Sequence, residues 1–440
     1  MFQLSMIQAI RHHAHKLDRR LRDDLLHMYQ PFKYTPCFLH KYMDKIFKKS
    51  KRYNVIVQFD QSSCDLVEEL NNIDKVTDRH FGCRMEKVLT VIGCCQAKLT
   101  PDALVDLLDN CPKVKKVYAD RQVLAFLDVA TPTVGAKNSE GSDLPYTGDG
   151  VNVAVLDTGV HQHPDLDGRI VEFVDLVNQN NDAYDDNGHG THCAGDVAGN
   201  GAMSEGQYQG PATKANIIGI KVLDKMGSGS LSTVMEGVQW CIDHKDRLNI
   251  GVISMSLGTP ASRSYPTEDD DPMVQIVEAA WDAGIVVCVA AGNEGPDQQS
   301  IASPGISNKV ITVGAMDDRG TIERQDDRIA EFSSRGPTIY NEVKPDVVAP
   351  GVDIISLRSP NSYIDRLQKS ARVGEYYFTM SGTSMATPIC AGVVALILEQ
   401  NPSLSPDEVK NVLMETAESL GDRNTYGAGY IQADRALLNN

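Results

Sequence analysis

The stretch DNGHGTHCAG, residues 186–195, places two histidines three residues apart in a glycine-rich segment. Such a pair can be half of a metal site, and one of its histidines can instead be a general base in a catalytic centre. In a polar turn that leads into a helix, however, a pair of this kind is more often structural. His189 and His192 therefore acquire a function only through partners that the rest of the chain supplies.

Three side chains together form a set that can transfer an acyl group. Asp157 ends the apolar run VNVAVLD, while His189 and Ser384 each begin a predicted helix. The active sites of open α/β sheets collect at such strand ends and helix starts. A serine hydroxyl needs an imidazole to accept its proton, and a buried carboxylate fixes the tautomer of that imidazole. Each residue alone also fits a turn or a helix cap, but their joint occurrence predicts a nucleophilic serine.

A fourth residue supplies a hydrogen-bond donor for the same chemistry. Asn293 follows an apolar run in AAGNEG, and its side-chain amide can donate to a developing oxyanion. The start of the Ser384 helix adds main-chain N–H groups and the positive end of the helix dipole. On its own, Asn293 would be read as a turn former.

The elements that position these residues fall into four predicted segments. Residues 1–50 form a basic helical leader, and residues 51–126 form a small α+β domain with the order strand–helix–strand–strand–helix–strand. Residues 127–150 are rich in Gly, Pro, Ser and Asp, which is typical of a linker. In residues 151–440, continuous apolar runs alternate with helices, so we expect an α/β domain with a mostly parallel sheet flanked by helices.

Charge and composition exclude several classes of protein. The net charge of −17 argues against nucleic acid or an anionic membrane as the main partner. No apolar run approaches the length that crosses a bilayer, which also argues against a membrane partner. The leader differs from the rest because residues 1–50 hold ten Lys and Arg against four Asp and Glu. It could dock on the acidic body, but we expect a solvated tail.

The N-terminal sequence and the cysteines bear on cellular location. The first ten residues do not resemble a secretory signal, because the basic residues follow the apolar part of the segment. The ten cysteines have no spacing typical of a zinc site. Without a signal, reduced thiols are favoured over disulfides, and we expect a cytoplasmic protein.

The motifs resemble those of the subtilisin-like serine proteases, or subtilases, over about residues 150–435. The resemblance rests on VAVLDTGV, NGHGTHCAG, KVLDKMGSGS, SMSLG, AAGNEG, PDVVAPG and GTSMATP. The upstream α+β segment resembles the inhibitory propeptide of the family. The basic leader and cysteine-rich pro-region are most similar to the AprX-type branch, which lacks a signal peptide. Sedolisins carry Glu and Asp where this chain has His189 and Asn293, so that acidic-pH branch is disfavoured.

The resemblance implies a function for each matching residue. Asp157 is the orienting carboxylate, His189 the general base, Ser384 the nucleophile and Asn293 the oxyanion donor. His192 is then the helix residue beneath the base, and no metal is implied at the histidine pair. The chemistry requires no cofactor.

The resemblance also implies where substrate binds. Two exposed strand edges bind the substrate in an extended conformation. Because this pairing uses main-chain hydrogen bonds, it depends little on side chains and gives broad specificity. The edge and pocket residues are Gly227, Ser228, Gly229, Ser256, Leu257, Gly258, Ala291, Gly292 and Glu294. The pocket walls around Ser256–Gly258 and Ala290–Gly292 are small or apolar, which favours a large apolar residue before the scissile bond, while Glu294 at the pocket mouth could tolerate Lys. We expect self-processing near Phe126, with the segment VLAF left in the site as a product-like tail and the propeptide acting as an inhibitor.

The resemblance also raises the question of structural calcium, which the sequence leaves open. Subtilases often hold calcium through an acidic residue shortly after the catalytic Asp and through a loop after the His helix. Asp165 in HPDLDG matches the acidic residue. The loop GNGAMSEGQYQG differs in length and lacks an obvious pattern of carbonyl ligands.

An active endopeptidase acting on proteins and peptides is favoured over two alternatives. A non-catalytic peptide-binding protein on the same scaffold would be free to lose a catalytic residue, and none is lost. An esterase or lipase is disfavoured because no Gly-x-Ser-x-Gly elbow follows a strand.

Cys193 lies four residues after His189, so its thiol should share a helix face with the imidazole, and thiol reagents should inhibit the enzyme.

Overall fold

The computed structural model describes residues 5–18, 21–22, 25–26, 43–44, 47–49, 51–60, 66–120, 122–125, 135–136, 145–319 and 327–438. The chain divides into two compact units. The first contains Met1–Arg121 with Arg263–Pro266, and the second contains Gln122–Ser262 with Thr267–Asn440. The predicted boundary at residue 126 therefore lies at 121/122, because residues 122–125 pair with strands of the second unit. Most of the predicted linker lies outside the described residues.

The first unit is an antiparallel sheet with helices. Its described elements are α1 (Ser5–His12), β1 (Tyr53–Phe59), α2 (Leu66–Arg79), β2 (Arg84–Leu89), β3 (Cys94–Leu99), α3 (Pro101–Asn110) and β4 (Val114–Ala119). The sheet order is β2-β3-β1-β4. Thr100 caps α3 by accepting the N–H of Ala103, and Pro101 occupies the first turn. From β1 onward, the order of elements is the one that the sequence predicts.

The described part of the leader packs into this first unit. Leu17, Leu21 and Leu25 are buried in the same core as the sheet. Asp18 accepts the main-chain N–H of Ala119 at 2.7 Å, which fixes the leader beside β4. The expectation of a solvated tail is corrected for these residues, since an apolar stripe runs among the basic ones and needs a core to cover it.

The second unit contains the α/β domain. Its strands are β5 (Gln122–Ala125), β6 (Asn152–Asp157), β7 (Ile170–Asp175), β8 (Asn216–Lys221), β9 (Ser228–Ser230), β10 (Ile250–Met255), β11 (Leu257–Pro260), β12 (Val286–Ala290), β13 (Ala302–Ser303), β14 (Ile311–Asp317), β15 (Arg328–Ile329), β16 (Val347–Pro350), β17 (Ile354–Leu357), β18 (Arg372–Val373) and β19 (Tyr377–Met380). Its helices are α4 (His189–Ala198), α5 (Leu231–Leu248), α6 (Pro272–Asp282), α7 (Tyr363–Leu367), α8 (Thr383–Gln400), α9 (Pro406–Thr416), α10 (Arg423–Tyr426) and α11 (Ala433–Leu438).

The central sheet positions the candidate site. Its order is β15-β14-β12-β10-β6-β8-β7, with β16 also paired to β14, and the pairings are parallel except that of β15. Its strands are mostly buried, as their continuous apolar sequences predict. Two small antiparallel sheets accompany it, with the orders β13-β11-β5-β9 and β17-β19-β18.

Helix α8 is the main core helix of this unit. Among the described residues it is the one helix long and apolar enough to cross a bilayer, but 89% of it is buried inside the protein. It packs against α4 and against strands of the central sheet. A helix that is apolar all round and covered by protein is a core helix.

Candidate active site

His189 and Asp157 form a buried pair at the carboxyl end of β6, an inner strand of the central sheet. Asp157 is the last residue of β6, and His189 is the first residue of α4. Nδ1 of His189 and Oδ1 of Asp157 are 2.7 Å apart, and neither residue is exposed to solvent. The N–H of Thr158 donates to the same oxygen at 2.7 Å. The carboxylate is therefore held in place and orients the ring through Nδ1.

This pairing controls the protonation of the imidazole. Burial by itself lowers the pKa of His189, because it disfavours the charged ring. The neighbouring Asp157 carboxylate outweighs that effect, so that the pKa of His189 is raised above its ordinary value. The pair thus favours an imidazole that has gained a proton.

The turn before α4 is built to bring the histidine against β6. Gly188 has φ 109°, a left-handed conformation that side chains disfavour. A Cβ on Gly190 would meet the Cβ of Asp157 at 3.0 Å, so only glycine lets the helix approach the strand this closely. The Asp185 carboxylate accepts three main-chain N–H groups at 2.9–3.0 Å, those of Asn187, Gly188 and Thr191. These contacts fix the direction in which His189 leaves the turn.

Ser384 lies in the first turn of the core helix α8. Its hydroxyl donates to the carbonyl of Ser256 at 3.3 Å, and its own carbonyl accepts the hydroxyl of Ser256 at 2.5 Å. Cys193 connects this residue to the histidine, because its Sγ lies 3.5 Å from the Ser384 carbonyl oxygen and 3.8 Å from His189 Nδ1. Burial raises the pKa of the Cys193 thiol to about 12. The thiol is therefore neutral between the two polar groups.

The side-chain amide of Asn293 has a defined orientation. Its Oδ1 accepts both the N–H and the hydroxyl of Thr383, each at 3.0 Å. The Thr383 hydroxyl in turn accepts the N–H of Gly292 at 3.2 Å. Because Oδ1 is engaged in this way, the amide presents its N–H groups on the other side. Asn293 is thus anchored beside the start of the Ser384 helix.

The two predicted substrate edges flank a segment of the chain itself. Strand β5 runs antiparallel to β9 on one side and to β11 on the other. The opposed pairs are Val123 with Gly229, Leu124 with Ser228, Leu124 with Gly258, and Ala125 with Leu257. Phe126 lies outside the described residues.

The remaining predicted pocket residues differ in exposure. Ser256, Ala291 and Gly292 are buried, and Gly227 precedes β9 at the end of a turn. Glu294 is exposed, and its main-chain N–H donates to the Ser334 hydroxyl at 3.1 Å.

Comparison with known proteins identifies the family. The subtilase family model matches residues 148–429. The chain is 54% identical to serine protease AprX of Bacillus subtilis (strain 168), over 99% of each chain. The chain belongs to the subtilase family. It is a serine-type endopeptidase that acts on protein substrates, and the prediction of such an enzyme is confirmed.

Other subtilases extend the comparison. Subtilisin Savinase of Lederbergia lenta is 36% identical over 66% of this chain and 91% of its own sequence. The crystal structure of fervidolysin from Fervidobacterium pennivorans, a keratinolytic enzyme related to subtilisin, superposes with a TM-score of 0.69 at 24% identity. That likeness covers 89% of this chain and 61% of the fervidolysin chain. It confirms the predicted subtilisin-like α/β fold.

Both ring nitrogens of the second histidine of the opening motif contact protein groups. His192 Nδ1 lies 2.9 Å from Oδ2 of Asp196, and its Nε2 lies 3.1 Å from the Phe378 carbonyl. Among the described residues, the one close group of metal-ligating side chains is Asp157, His189 and Cys193, with ligand atoms within 4.8 Å of one another. That group is the buried pair with its neighbouring thiol.

Asp165, the residue matched to the calcium site of the family, is surrounded by hydrogen-bond donors. The Tyr377 hydroxyl donates to Oδ2 at 2.7 Å, and the Met203 N–H donates to Oδ1 at 3.0 Å. Calcium needs six to eight oxygen atoms that present lone pairs. The residues around Asp165 present protons instead, so they do not fit a calcium ion.

Sequence reasoning missed a loop that braces the histidine turn. Asp365 forms paired hydrogen bonds with the guanidinium groups of Arg358 and Arg372, at 2.6–3.1 Å. The same loop donates main-chain N–H groups to the carbonyls of residues 186 and 187, at 2.8 and 3.0 Å. The two arginines are seven residues from Asp365 on either side, and no helical or strand periodicity marks such a clamp in the sequence.

Proposed function

We propose that Ser384 is the nucleophile of this protease, with His189 as its general base and Asp157 as the carboxylate that orients the base. Ser384 Oγ attacks the scissile carbonyl while its proton passes to Nε2 of His189. The imidazolium then gives that proton to the leaving amine, which leaves an acyl-enzyme on Ser384. In the second step, water attacks the acyl-enzyme and gives a proton to His189. The imidazolium then returns a proton to Ser384 Oγ as the acid product leaves.

The observation that carries this proposal is the buried hydrogen bond between Nδ1 and Oδ1, 2.7 Å long. It favours the tautomer with the proton on Nδ1, which leaves the lone pair of Nε2 to accept the serine proton. The raised pKa of His189, produced by Asp157, fits a base that gains a proton during the reaction. The carboxylate stabilises the imidazolium without accepting the proton itself.

The oxyanion is stabilised by Asn293 and by the start of α8 in this proposal. Thr383 holds the amide oxygen of Asn293, so the amide N–H groups remain to donate to the negative oxygen of the tetrahedral intermediate. Main-chain N–H groups in the first turn of a helix are also without intrahelical acceptors. Donors fixed before the reaction begins stabilise the transition state without reorganisation.

Hydrolysis of a chromogenic peptide tests the nucleophile directly. The parent protein should release the chromophore, and Ser384→Ala should lose nearly all of this activity while its circular dichroism spectrum stays unchanged. A folded Ser384→Ala variant with the activity of the parent would overturn the assignment.

We propose that substrate lies where β5 lies, as an extended strand between β9 and β11. Antiparallel pairing of β5 on both sides supports this, because a peptide there gains main-chain hydrogen bonds whatever its side chains. The small and apolar pocket residues favour a large apolar residue before the scissile bond. In a panel of peptides that vary at this position, Phe, Leu and Met should give the highest kcat/KM. Faster cleavage after acidic residues would contradict this preference.

We further propose that the enzyme is made as a self-inhibited precursor that cuts itself near Phe126. The support is that β5, just before that position, occupies the strand position assigned to substrate. The segment before the cut then remains as a product-like tail, and the propeptide inhibits the enzyme. Purified parent protein should show a new N-terminus near residue 127, whereas Ser384→Ala should remain full length. Cleavage of Ser384→Ala at the same bond would show that another protease makes the cut.

We propose a cytoplasmic location. The support is that the cysteines at all eight described positions are free, as is usual for proteins of a reducing compartment. Fractionation of cells that express the full chain should recover the protein with cytoplasmic markers. Recovery from the culture medium of intact cells would contradict the proposal.

A further inference from the structure

The carboxylate of Asp165 is completely buried and satisfied by protein groups. Oδ2 accepts the Tyr377 hydroxyl at 2.7 Å, and Oδ1 accepts the Met203 N–H at 3.0 Å. A buried carboxylate is costly unless charge or hydrogen bonds compensate it. Here one hydroxyl and one main-chain N–H supply that compensation at opposite oxygens.

The loop after α4 uses its own carbonyl groups internally. We call residues 199–210 the glycine loop, since it contains four glycines. The Gln209 side chain donates to the carbonyl of Asn200 at 2.8 Å, and the Ser204 hydroxyl and the Gly206 N–H donate to the carbonyl of Gly201 at 3.1 and 2.9 Å. The main-chain oxygens of Asn200 and Gly201 are thus already acceptors within the loop.

A positive charge occupies the remaining side of Asp165. The main-chain carbonyl of Asp165 accepts the N–H of Asn200 at 3.2 Å and also accepts the guanidinium of Arg169. A second nitrogen of Arg169 donates to the carbonyl of Ala215 at 2.9 Å, which fixes the guanidinium there. The guanidinium interacts electrostatically with the Asp165 carboxylate, and it would repel a divalent cation bound there because like charges repel in a poorly solvated site.

Tyr377 connects the glycine loop to the strand that leads to the nucleophile. It lies on β19, seven residues before Ser384, and is 3% exposed. Its hydroxyl also contacts Ser204 of the loop. Its ring packs edge-on against that of Tyr208, with centroids 4.9 Å apart. One tyrosine therefore bonds the buried carboxylate, the glycine loop and β19 together.

We propose that the Tyr377 hydroxyl takes the place of a structural calcium ion at Asp165, so that this subtilase stays folded without calcium. A bound calcium would tie a carboxylate to loop carbonyls through one central ion. Here a proton donor ties the same carboxylate to β19, while internal hydrogen bonds brace the loop. The glycine loop consequently needs no ion to remain ordered.

Thermal unfolding with and without calcium tests this proposal independently of the catalytic assignments. The parent enzyme, blocked with a serine-protease inhibitor to prevent autolysis, is unfolded in excess EGTA and in millimolar calcium chloride. A calcium site filled to a hundred times its Kd would raise the Tm of a domain this size by on the order of 5–10 °C. The two Tm values should instead agree, and a calcium-dependent rise of that size would overturn the proposal.

A matched pair of tyrosine variants tests the hydroxyl itself. Tyr377→Phe removes the donor to Asp165 and should lower Tm by several degrees in EGTA and in calcium alike. Tyr208→Phe removes the neighbouring hydroxyl, which has no hydrogen-bond partner among the described residues, and should leave Tm unchanged. If both variants unfold at the temperature of the parent, the Tyr377 hydroxyl does not hold this site.

Discussion

Helix α4 carries two buried histidine–carboxylate pairs that differ in what surrounds them. His189 bonds Asp157 across to β6 at 2.7 Å, whereas His192 bonds Asp196 one turn along the same helix at 2.9 Å. The other ring nitrogen of His192 forms a hydrogen bond with the main-chain carbonyl of Phe378. His189 instead has Cys193 beside it, and Cys193 also contacts Ser384. Both histidines are buried beside a carboxylate, so the difference in role that we propose for them depends on the groups beyond each pair.

The two pairs also differ in how they are connected to the fold. Asp157 ends a central strand, so the first pair links a sheet to a helix start. His192 and Asp196 lie on one helix, and their link to β19 passes through a main-chain carbonyl. We therefore expect substitutions in the first pair to reduce catalysis and substitutions in the second to reduce stability.

The largest expected contrast is between His189→Ala and His192→Ala. His189→Ala should lower kcat by about 10⁶, the loss that follows removal of the catalytic histidine in subtilisin itself. His192→Ala leaves a buried carboxyl group without its partner and should lower the free energy of unfolding by about 3–5 kcal/mol. Peptide hydrolysis and denaturant unfolding measure the two effects. Equal losses of kcat in two folded variants would remove the distinction between the pairs.

The carboxylates should differ in the same way, with a smaller effect on rate. Asp157→Asn should lower kcat by about 10⁴, as loss of the orienting carboxylate does in related triads. The proposed mechanism requires neutral His189, and Asp157 holds the pKa of His189 above its ordinary value, so the activity of the parent should fall as pH drops through that raised pKa. In Asp157→Asn the carboxylate charge is gone, and burial then lowers the pKa of His189. The acid limb of the pH–rate profile of this variant should therefore move to lower pH.

Asp196→Asn is the control for this shift. It keeps the size of the side chain next to His192, so the acid limb should stay where the parent has it. A shift as large as that of Asp157→Asn would mean that the second pair also controls the protonation of the base.

Asn293→Ala should give the next largest effect. It removes one oxyanion donor, and in subtilisin the loss of one such donor lowers kcat by about 10²–10³. KM should change little, because the donor acts mainly on the charge that develops in the transition state. Steady-state kinetics on one peptide separate these parameters. An unchanged kcat would return Asn293 to the role of a turn residue.

Cys193 gives the smallest expected effect and probes the space beside His189. A mercurial bound to its sulfur, 3.8 Å from Nδ1, should displace the imidazole, and a shift of about 1 Å costs about a hundredfold in rate. Cys193→Ala should keep most of the activity and resist the reagent. The control is Cys241→Ala, which removes another free, fully buried thiol in α5 and should stay as sensitive as the parent. Inhibition of Cys193→Ala to the same extent would locate the effect elsewhere.

The sequence predicts the parts of this fold that depend on local pattern. Continuous apolar runs predict the buried parallel strands, and Thr100 with Pro101 predicts the start of α3. The positions of Asp157 and His189 at a strand end and a helix start also follow from the sequence. The spacing of His192 and Asp196, four residues apart on a predicted helix, could have indicated the second pair.

Contacts between distant residues could not be predicted in this way. Tyr377 reaches Asp165 across 212 residues, and the fold alone brings them together. The apolar stripe of the leader is interrupted by charges, so its burial becomes evident only when the first unit is assembled. These contacts depend on tertiary packing, which overrides local composition.

We propose that the His189–Asp157 pair activates Ser384 and that the His192–Asp196 pair does not. Labelling with a fluorophosphonate, followed by peptide mass mapping, tests this claim most directly because the reagent needs an activated serine. The parent and the folded His192→Ala variant should both carry the adduct on Ser384, and His189→Ala should carry almost none. An adduct on another serine, or labelling of His189→Ala at the rate of the parent, would contradict the claim.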